Sequence, residues 1–284
     1  MLPVTSAKAT IMAIGYASDD GMTSQGFLGV HAVDLPGVSL DPGMFYRNVP
    51  VTLVRKEKDL CGGNIEAKDG DVITSYGRET NNTITIAPGA TVTLCYVNIN
   101  TIGSAGITCL DNATIIFEGT NIIENSSSSN HPAVQAGPDG TTLTILGNGS
   151  LTATACTQAA GIGSGFCGSC GDITITGGTI TATGGSLAAG IGSGLGGSCG
   201  VITITGGTVT AYGGENAAGI GCGLDGICDN ITITNGVTRV TAIKGTDAPY
   251  SVGKGSGGSN CGTITIGGTD YGDKGIETSP FTYP

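Results

Sequence analysis

The chain of 284 residues carries a formal net charge of −11, with only 12% of its residues charged, 52 glycines, ten cysteines and no tryptophan. It lacks the clustered lysine and arginine that a phosphate backbone or an anionic membrane surface requires, so nucleic acid and such membranes are excluded as partners. No run approaches the roughly 20 apolar residues of a membrane-spanning helix, so no transmembrane segment is expected.

The N-terminal stretch over 1–68 differs from the rest. Strand-like runs over 7–15, 26–34 and 49–56 are separated by turn signals at Asp19-Asp20-Gly21, Pro36 and Pro42-Gly43. Met1-Leu2-Pro3-Val4 has neither the basic start nor the apolar core of a secretory signal, so a targeting segment is expected to be absent from this chain. Residues 1–68 read as a small β-module or N-terminal cap, with a boundary near Cys61-Gly62-Gly63. A cap is needed if a solenoid follows, because a bare terminal rung templates pairing with other chains.

Residues 69–284 repeat themselves. Ala160-Gly161-Ile162-Gly163-Ser164-Gly165 returns as Ala189-Gly190-Ile191-Gly192-Ser193-Gly194, then as Ala218-Gly219-Ile220-Gly221-Cys222-Gly223, and loosely as Tyr250-Ser251-Val252-Gly253-Lys254-Gly255. A cysteine follows each copy, at Cys170, Cys199, Cys228 and Cys261, evenly spaced except for a longer last step. Each opens an alternating strand such as Ile173-Thr174-Ile175-Thr176, whose isoleucines point inward and threonines outward. Inward apolar residues form three columns. One runs Ile86, Ile116, Ile145, Ile175, Ile204, Ile233, Ile266; the second Ile107, Val134, Ile162, Ile191, Ile220, Val252; the third Val92, Ile122, Leu151, Ile180, Val209, Val240. The expected fold is therefore all-β, a right-handed parallel β-helix with three strands per coil and about seven coils of about 29 residues. Glycines at the outward positions of 161–163 predict one face of nearly bare backbone.

The candidate chemistry is sparse. Cys170, Cys199, Cys228 and Cys261 should stack about 4.8 Å apart as a ladder of packed, reduced thiols, with local disulfides such as Cys222–Cys228 as the alternative. Cys167-Gly168-Ser169-Cys170 is a lone CxxC, which points away from zinc. The carboxylates form no column: the one through Asp172 continues as Val201 and Asn230. A lyase or glycosidase needs carboxylates on neighbouring rungs, so no catalytic set is expected. No cofactor is expected; calcium at the turn carrying Asp225 and Asp229 is the one metal to consider. His31 and His131 stand alone, and the glycine runs precede no helix, which rejects a phosphate loop.

The repeat Ala-Ala-Gly-Ile-Gly-Ser-Gly followed by Cys-Gly-x-Ile-Thr-Ile-Thr-Gly-Gly-Thr-x-Thr-Ala resembles a family of β-helical repeat proteins from gut bacteria. Pro132-Ala133-Val134 with residues 140–151, and the closing Ala248-Pro249-Tyr250-Ser251-Val252-Gly253 with Ser279-Pro280-Phe281-Thr282-Tyr283, resemble them too. The resemblance covers about residues 69–284 and implies a pectate lyase-like scaffold in an adhesin-like or carbohydrate-binding protein that is secreted or at the cell surface.

The expected function is accordingly non-catalytic adhesion or glycan binding, with a polysaccharide or a host or cell-surface glycan or protein as partner. A polysaccharide lyase or glycoside hydrolase, or a purely structural stalk, are the alternatives. Contacts are expected from tyrosines that can stack on sugar rings, Tyr212, Tyr250 and Tyr271, and from the outward threonines Thr174, Thr203 and Thr232. The serine-rich loop over 124–132 is a further candidate.

Overall fold

The computed structural model describes residues 57–126, 130–273 and 275–284 in full, and the backbone of four strands before them. Two compact units divide at Arg55 and Lys56. In the first, Lys8–Met12 pairs antiparallel with Val30–Asp34, and Tyr16–Asp19 with Met22–Gln25. The strand expected over 49–56 lies outside the described residues, as do residues 127–129 of the serine loop and the side chain of His31.

The second unit is the parallel β-helix. Its chain winds through three faces. Face A includes Thr91–Cys95, Ala113–Glu118, Thr142–Gly147, Asp172–Ile175, Ile202–Ile204, Ile231–Ile233 and Ile264–Ile266. Face B includes Asn98–Thr101, Thr120–Asn125, Ser150–Thr154, Thr179–Thr183, Thr208–Tyr212 and Arg239–Ile243. Face C runs from Ile65–Ala67 to Val252–Gly253. Among the described residues the parallel strands number nine, seven and eight on the three faces, a slightly different count from the seven coils expected. From Ser169–Cys170 onward a fourth, four-stranded strip occupies the corner between faces C and A.

The stack starts upstream of residue 69. Glu57–Asp59 already pairs in parallel with Val72–Thr74, and Ile65–Ala67 with Ile84–Ile86. Cys61-Gly62 belongs to a 3-10 turn, Leu60–Gly62, standing where later coils place a face B strand.

The repeat period of the later coils does not extend to the early ones. Ile73 stacks on Leu94 and Leu94 on Phe117, so the coils there are shorter than the step from Ile173 to Ile202 to Ile231. They are shorter because the corner strip has no strand before Ser169. Two of the three expected columns break at their N-terminal ends, at Ile86 and Val92 because the coils there are short, and at Ile116 and Ile122 because the coil that follows them is one residue longer than the expected step. Ile145 stacks on Ile115, while Ile116 faces outward beneath Leu146. Ile86 belongs to face C, between Ala67 and Cys109, and Val92 to face A under Ile115. Leu151 stacks on Asn121, which leaves Ile122 outside beneath Thr152. With a side-chain period of two, a one-residue slip moves a side chain to the other face. The face C column is intact and gains Ile84 at its base.

These columns fill the bore. Ile84, Ile107, Val134, Ile162, Ile191, Ile220 and Val252 are all fully buried, each contributing about 1.5–3 kcal/mol from burial. Asn121 is the polar intruder, and its amide is satisfied: Oδ1 accepts from Val97 N at 2.9 Å, and Nδ2 donates to the carbonyls of Glu118 and Ser150.

The face of bare glycine is not exposed. Gly161, Gly163, Gly190 and Gly192 are buried. Gly163, Gly192 and Gly221 adopt φ of +140°, +133° and +130°, and a Cβ there would sit 1.9–2.1 Å from a carbonyl oxygen of the next coil. Glycine is required at this column because adjacent coils touch through backbone.

Each face ends on a short antiparallel cover. Thr269–Asp270 closes face A, Phe281–Tyr283 closes face B, and Ile276 bridges to Val252 on face C. Unpaired edge groups are thus removed at the C-terminal end.

Candidate functional site

The outward side chains of faces A and B are mostly threonine. On face A, Thr91, Thr114, Thr144, Thr174, Thr203, Thr232 and Thr265 pair in unbroken register. This joins the expected contacts Thr174, Thr203 and Thr232 into one half-exposed column with hydroxyls spaced about 4.8 Å apart. Ile115 points inward and Thr114 takes the outward place, so the column runs through this coil. On face B, Thr152, Thr181, Thr210 and Thr241 form a second column, which Thr282 of the covering strand extends.

The three expected tyrosines do not converge. Tyr212 ends its face B strand between Thr183 and Ile243 and is 40% exposed. Tyr250 precedes the last face C strand and is half-buried, its ring lying over Gly275, where a Cβ would meet it at 2.6 Å. Tyr271 follows the strand that covers face A and is exposed.

The structure brings together two other tyrosines. Tyr76 and Tyr96 occupy the corner between faces A and B on adjacent coils, linked by Gly77 N donating to Tyr96 O at 2.7 Å. Both have left-handed backbone, φ 54° and 53°, and both are exposed, at 60% and 53%. Left-handed geometry at a bulky residue costs about 1–2 kcal/mol. Tyr96 lies over Gly119, and Arg78 sits 5.8 Å from the Tyr76 ring centroid. Burial, followed by the Glu57 carboxylate, raises the Tyr76 phenol pKa. The period that organises the later coils gives no signal for this pair, because it lies in the short coils.

Asp172 and Asp225, two of the carboxylates singled out in the sequence, hold turns, as does Asp69. Asp172 Oδ1 accepts from Val201 N at 2.8 Å, and Asp69 Oδ1 from Thr91 N at 2.9 Å. Asn112 and Asn230 do the same for Thr142 and Thr263. Asp225, at φ 54°, accepts from Gly258 N at 2.6 Å, capping the turn of the next coil. Among the described residues no group of three or more His, Cys, Asp or Glu is placed to hold a metal.

None of the ten cysteines is joined in a disulfide. Cys170, Cys199, Cys228 and Cys261 are in register and buried. Cys222, buried beside them, donates to Asn260 O at 3.0 Å. Hydrogen bonding to Cys170 and burial push the Cys199 thiol up, and contacts with Cys228 and Cys261 together with burial do the same to Cys222. Cys261 is lowered, by its bond with Cys222 and by Lys254. Cys109, on face C away from this cluster, is pushed by burial to about 12.

Comparison with known proteins agrees with the winding. The β-helix repeat family matches residues 143–166, 173–195 and 202–224. Each match starts at an inward face A residue (Leu143, Ile173, Ile202) and ends at an apolar corner residue (Phe166, Leu195, Leu224). No curated protein and no solved structure matches the chain.

Proposed function

We propose that this β-helical repeat protein is a non-catalytic, glycan-binding adhesion protein of the cell surface or the secreted fraction, of the gut-bacterial type its repeats resemble. The observation that carries the reading is the threonine column from Thr91 to Thr265, flanked on face B by Thr152, Thr181, Thr210 and Thr241. Rows of hydroxyls on a rigid lattice offer donors and acceptors repeated about every 4.8 Å, so a long polymer engages many weak contacts at once. The engagement of Asp69, Asp172 and Asp225 by backbone N–H groups favours scaffold over catalysis for these carboxylates.

The test is electrophoresis of the purified protein through gels containing soluble neutral or acidic polysaccharides, with and without calcium, while new reducing ends and unsaturated products are counted. Retardation without chain cleavage is expected. Cleavage of any polysaccharide would overturn the non-catalytic reading, and the absence of retardation on every one would overturn glycan binding.

A further inference from the structure

The N-terminal end of face B carries an open groove of about 490 Å3, lined by Glu79, Asn81, Asn82, Asn100, Ile102 and neighbouring polar residues. It lies far along the helix from the repeats that dominate the sequence.

One atom sets its chemistry. Asn100 Oδ1 is buried, and among the described residues it is the one buried side-chain nitrogen or oxygen without a hydrogen-bond partner. An unanswered buried acceptor is costly, and it is answered only by a group that brings an O–H or N–H. Around it the groove is already built. Asn82 is held by donating to Leu60 O at 2.8 Å. Glu79 adds an acceptor-only carboxylate, and Glu124 stands beside Asn100 on the next coil. Ile102, 77% exposed, supplies an apolar wall.

A ligand that fits must offer several hydroxyl donors, present an apolar face and carry no negative charge. The ring of a neutral sugar has all three properties, with hydroxyls at its edge and C–H groups on its faces. The same two strands leave the corner held by Tyr76 and Tyr96: the turn at Tyr76-Gly77 leads into Glu79–Thr80, and Tyr96 stands just before Asn98–Thr101. The aromatic corner therefore lies on the path of a chain seated in the groove, where it can stack on further rings.

We propose that this groove is a discrete subsite for neutral sugar rings, with Asn100 Oδ1 accepting from a sugar hydroxyl. The proposal takes its ligand class from the glycan-binding reading above but places the contact at a different site, away from the threonine columns.

The test is calorimetric titration of the full chain with cellotetraose, xylotetraose and maltotetraose, with tetragalacturonate as the anionic comparison. Asn100→Leu removes the lone acceptor while keeping the side-chain shape. It is expected to keep or raise the melting temperature and to weaken binding of the best neutral oligosaccharide at least about tenfold. Asn100→Asp, which keeps an acceptor, is expected to bind, and Ile102→Asp, which charges the apolar wall of a surface residue, to lose affinity. Glu277→Gln, at an exposed position beside the C-terminal cover, should leave this titration unchanged. Undiminished binding by Asn100→Leu, equal affinity for tetragalacturonate, a calcium requirement, or no binding of any neutral oligosaccharide would each overturn the subsite. If the oligosaccharides fail while polysaccharide still retards the protein in gels, the subsite falls and the adhesion reading stands. If both fail, both fall.

Discussion

Asp172 Oδ1 receives the N–H of Val201, one coil further on, at 2.8 Å. The bond repeats in kind where Asp69, Asn112 and Asn230 meet Thr91, Thr142 and Thr263. Each is a side chain standing in for a carbonyl where the corner leaves a backbone donor unanswered, as a cap does at a helix start. Asp172→Ala should cost about 1 kcal/mol of stability in a denaturant titration, and Asp172→Asn, which keeps the acceptor oxygen, should cost a few tenths at most. Equal losses for the two would show that charge, not the acceptor, matters at this corner.

The glycine column makes a sharper prediction. Gly192→Ala places a Cβ 1.9 Å from Gly221 O at φ +133°. Adjacent coils would have to separate, and a loss of about 3 kcal/mol or more is expected, read as a large drop in melting temperature or a failure to fold. Gly140, at φ +80° with no atom within 4 Å of its built Cβ, isolates the backbone contribution. Gly140→Ala should cost only about 1–2 kcal/mol.

Alkaline pH should unfold the protein through its thiols. The Cys109 thiol rises from an ordinary 9.0 to about 12 because the thiolate has no solvation in the bore. A group whose folded pKa is raised contributes stability that is complete below its unfolded value and is lost as pH climbs toward the folded one. Stability should therefore hold to about pH 8, begin to decline as the unfolded thiol titrates near 9.0, and fall at about 1.4 kcal/mol per pH unit for this thiol between about pH 10 and 12. Cys199 and Cys222 add to the slope in the same direction. Denaturant titrations across about pH 7–11 check it, and Cys109→Ala should flatten its share.

The C-terminal cover predicts an association phenotype. Ending the chain at residue 268 removes Thr269–Asp270, Ile276 and Phe281–Tyr283, and with them the closure of all three faces. The exposed parallel edges are expected to pair between molecules, giving higher oligomers in light scattering. A truncated protein that stays in the state of the full chain would show that those edges are protected by other means.

For the threonine faces, Thr203→Val with Thr232→Val preserves shape and β-propensity while deleting two hydroxyls of the column. Stability should change by less than about 0.5 kcal/mol, and polysaccharide retardation in gels should weaken.

The sequence by itself determined the winding wherever its repeat was strong. Ile162, Ile191, Ile220 and the threonine column could be placed from alternation alone, because a strand has a side-chain period of two and stacked coils repeat it in register. Only the tertiary structure decided the early coils. There the corner strip is missing, coil length varies, and Ile86 and Val92 leave their extrapolated columns across shortened coils while Ile116 and Ile122 leave theirs across a coil one residue too long. Tertiary structure also buried the glycines that looked like an open face, since contact between coils is not visible along one strand. Tyr76 and Tyr96 meet across two coils, and Asn100 acquires its burial from neighbours distant in the chain. Periodicity specifies which way a side chain points, but the length of each coil fixes what it meets, and that length is set by corners whose geometry composition does not reveal.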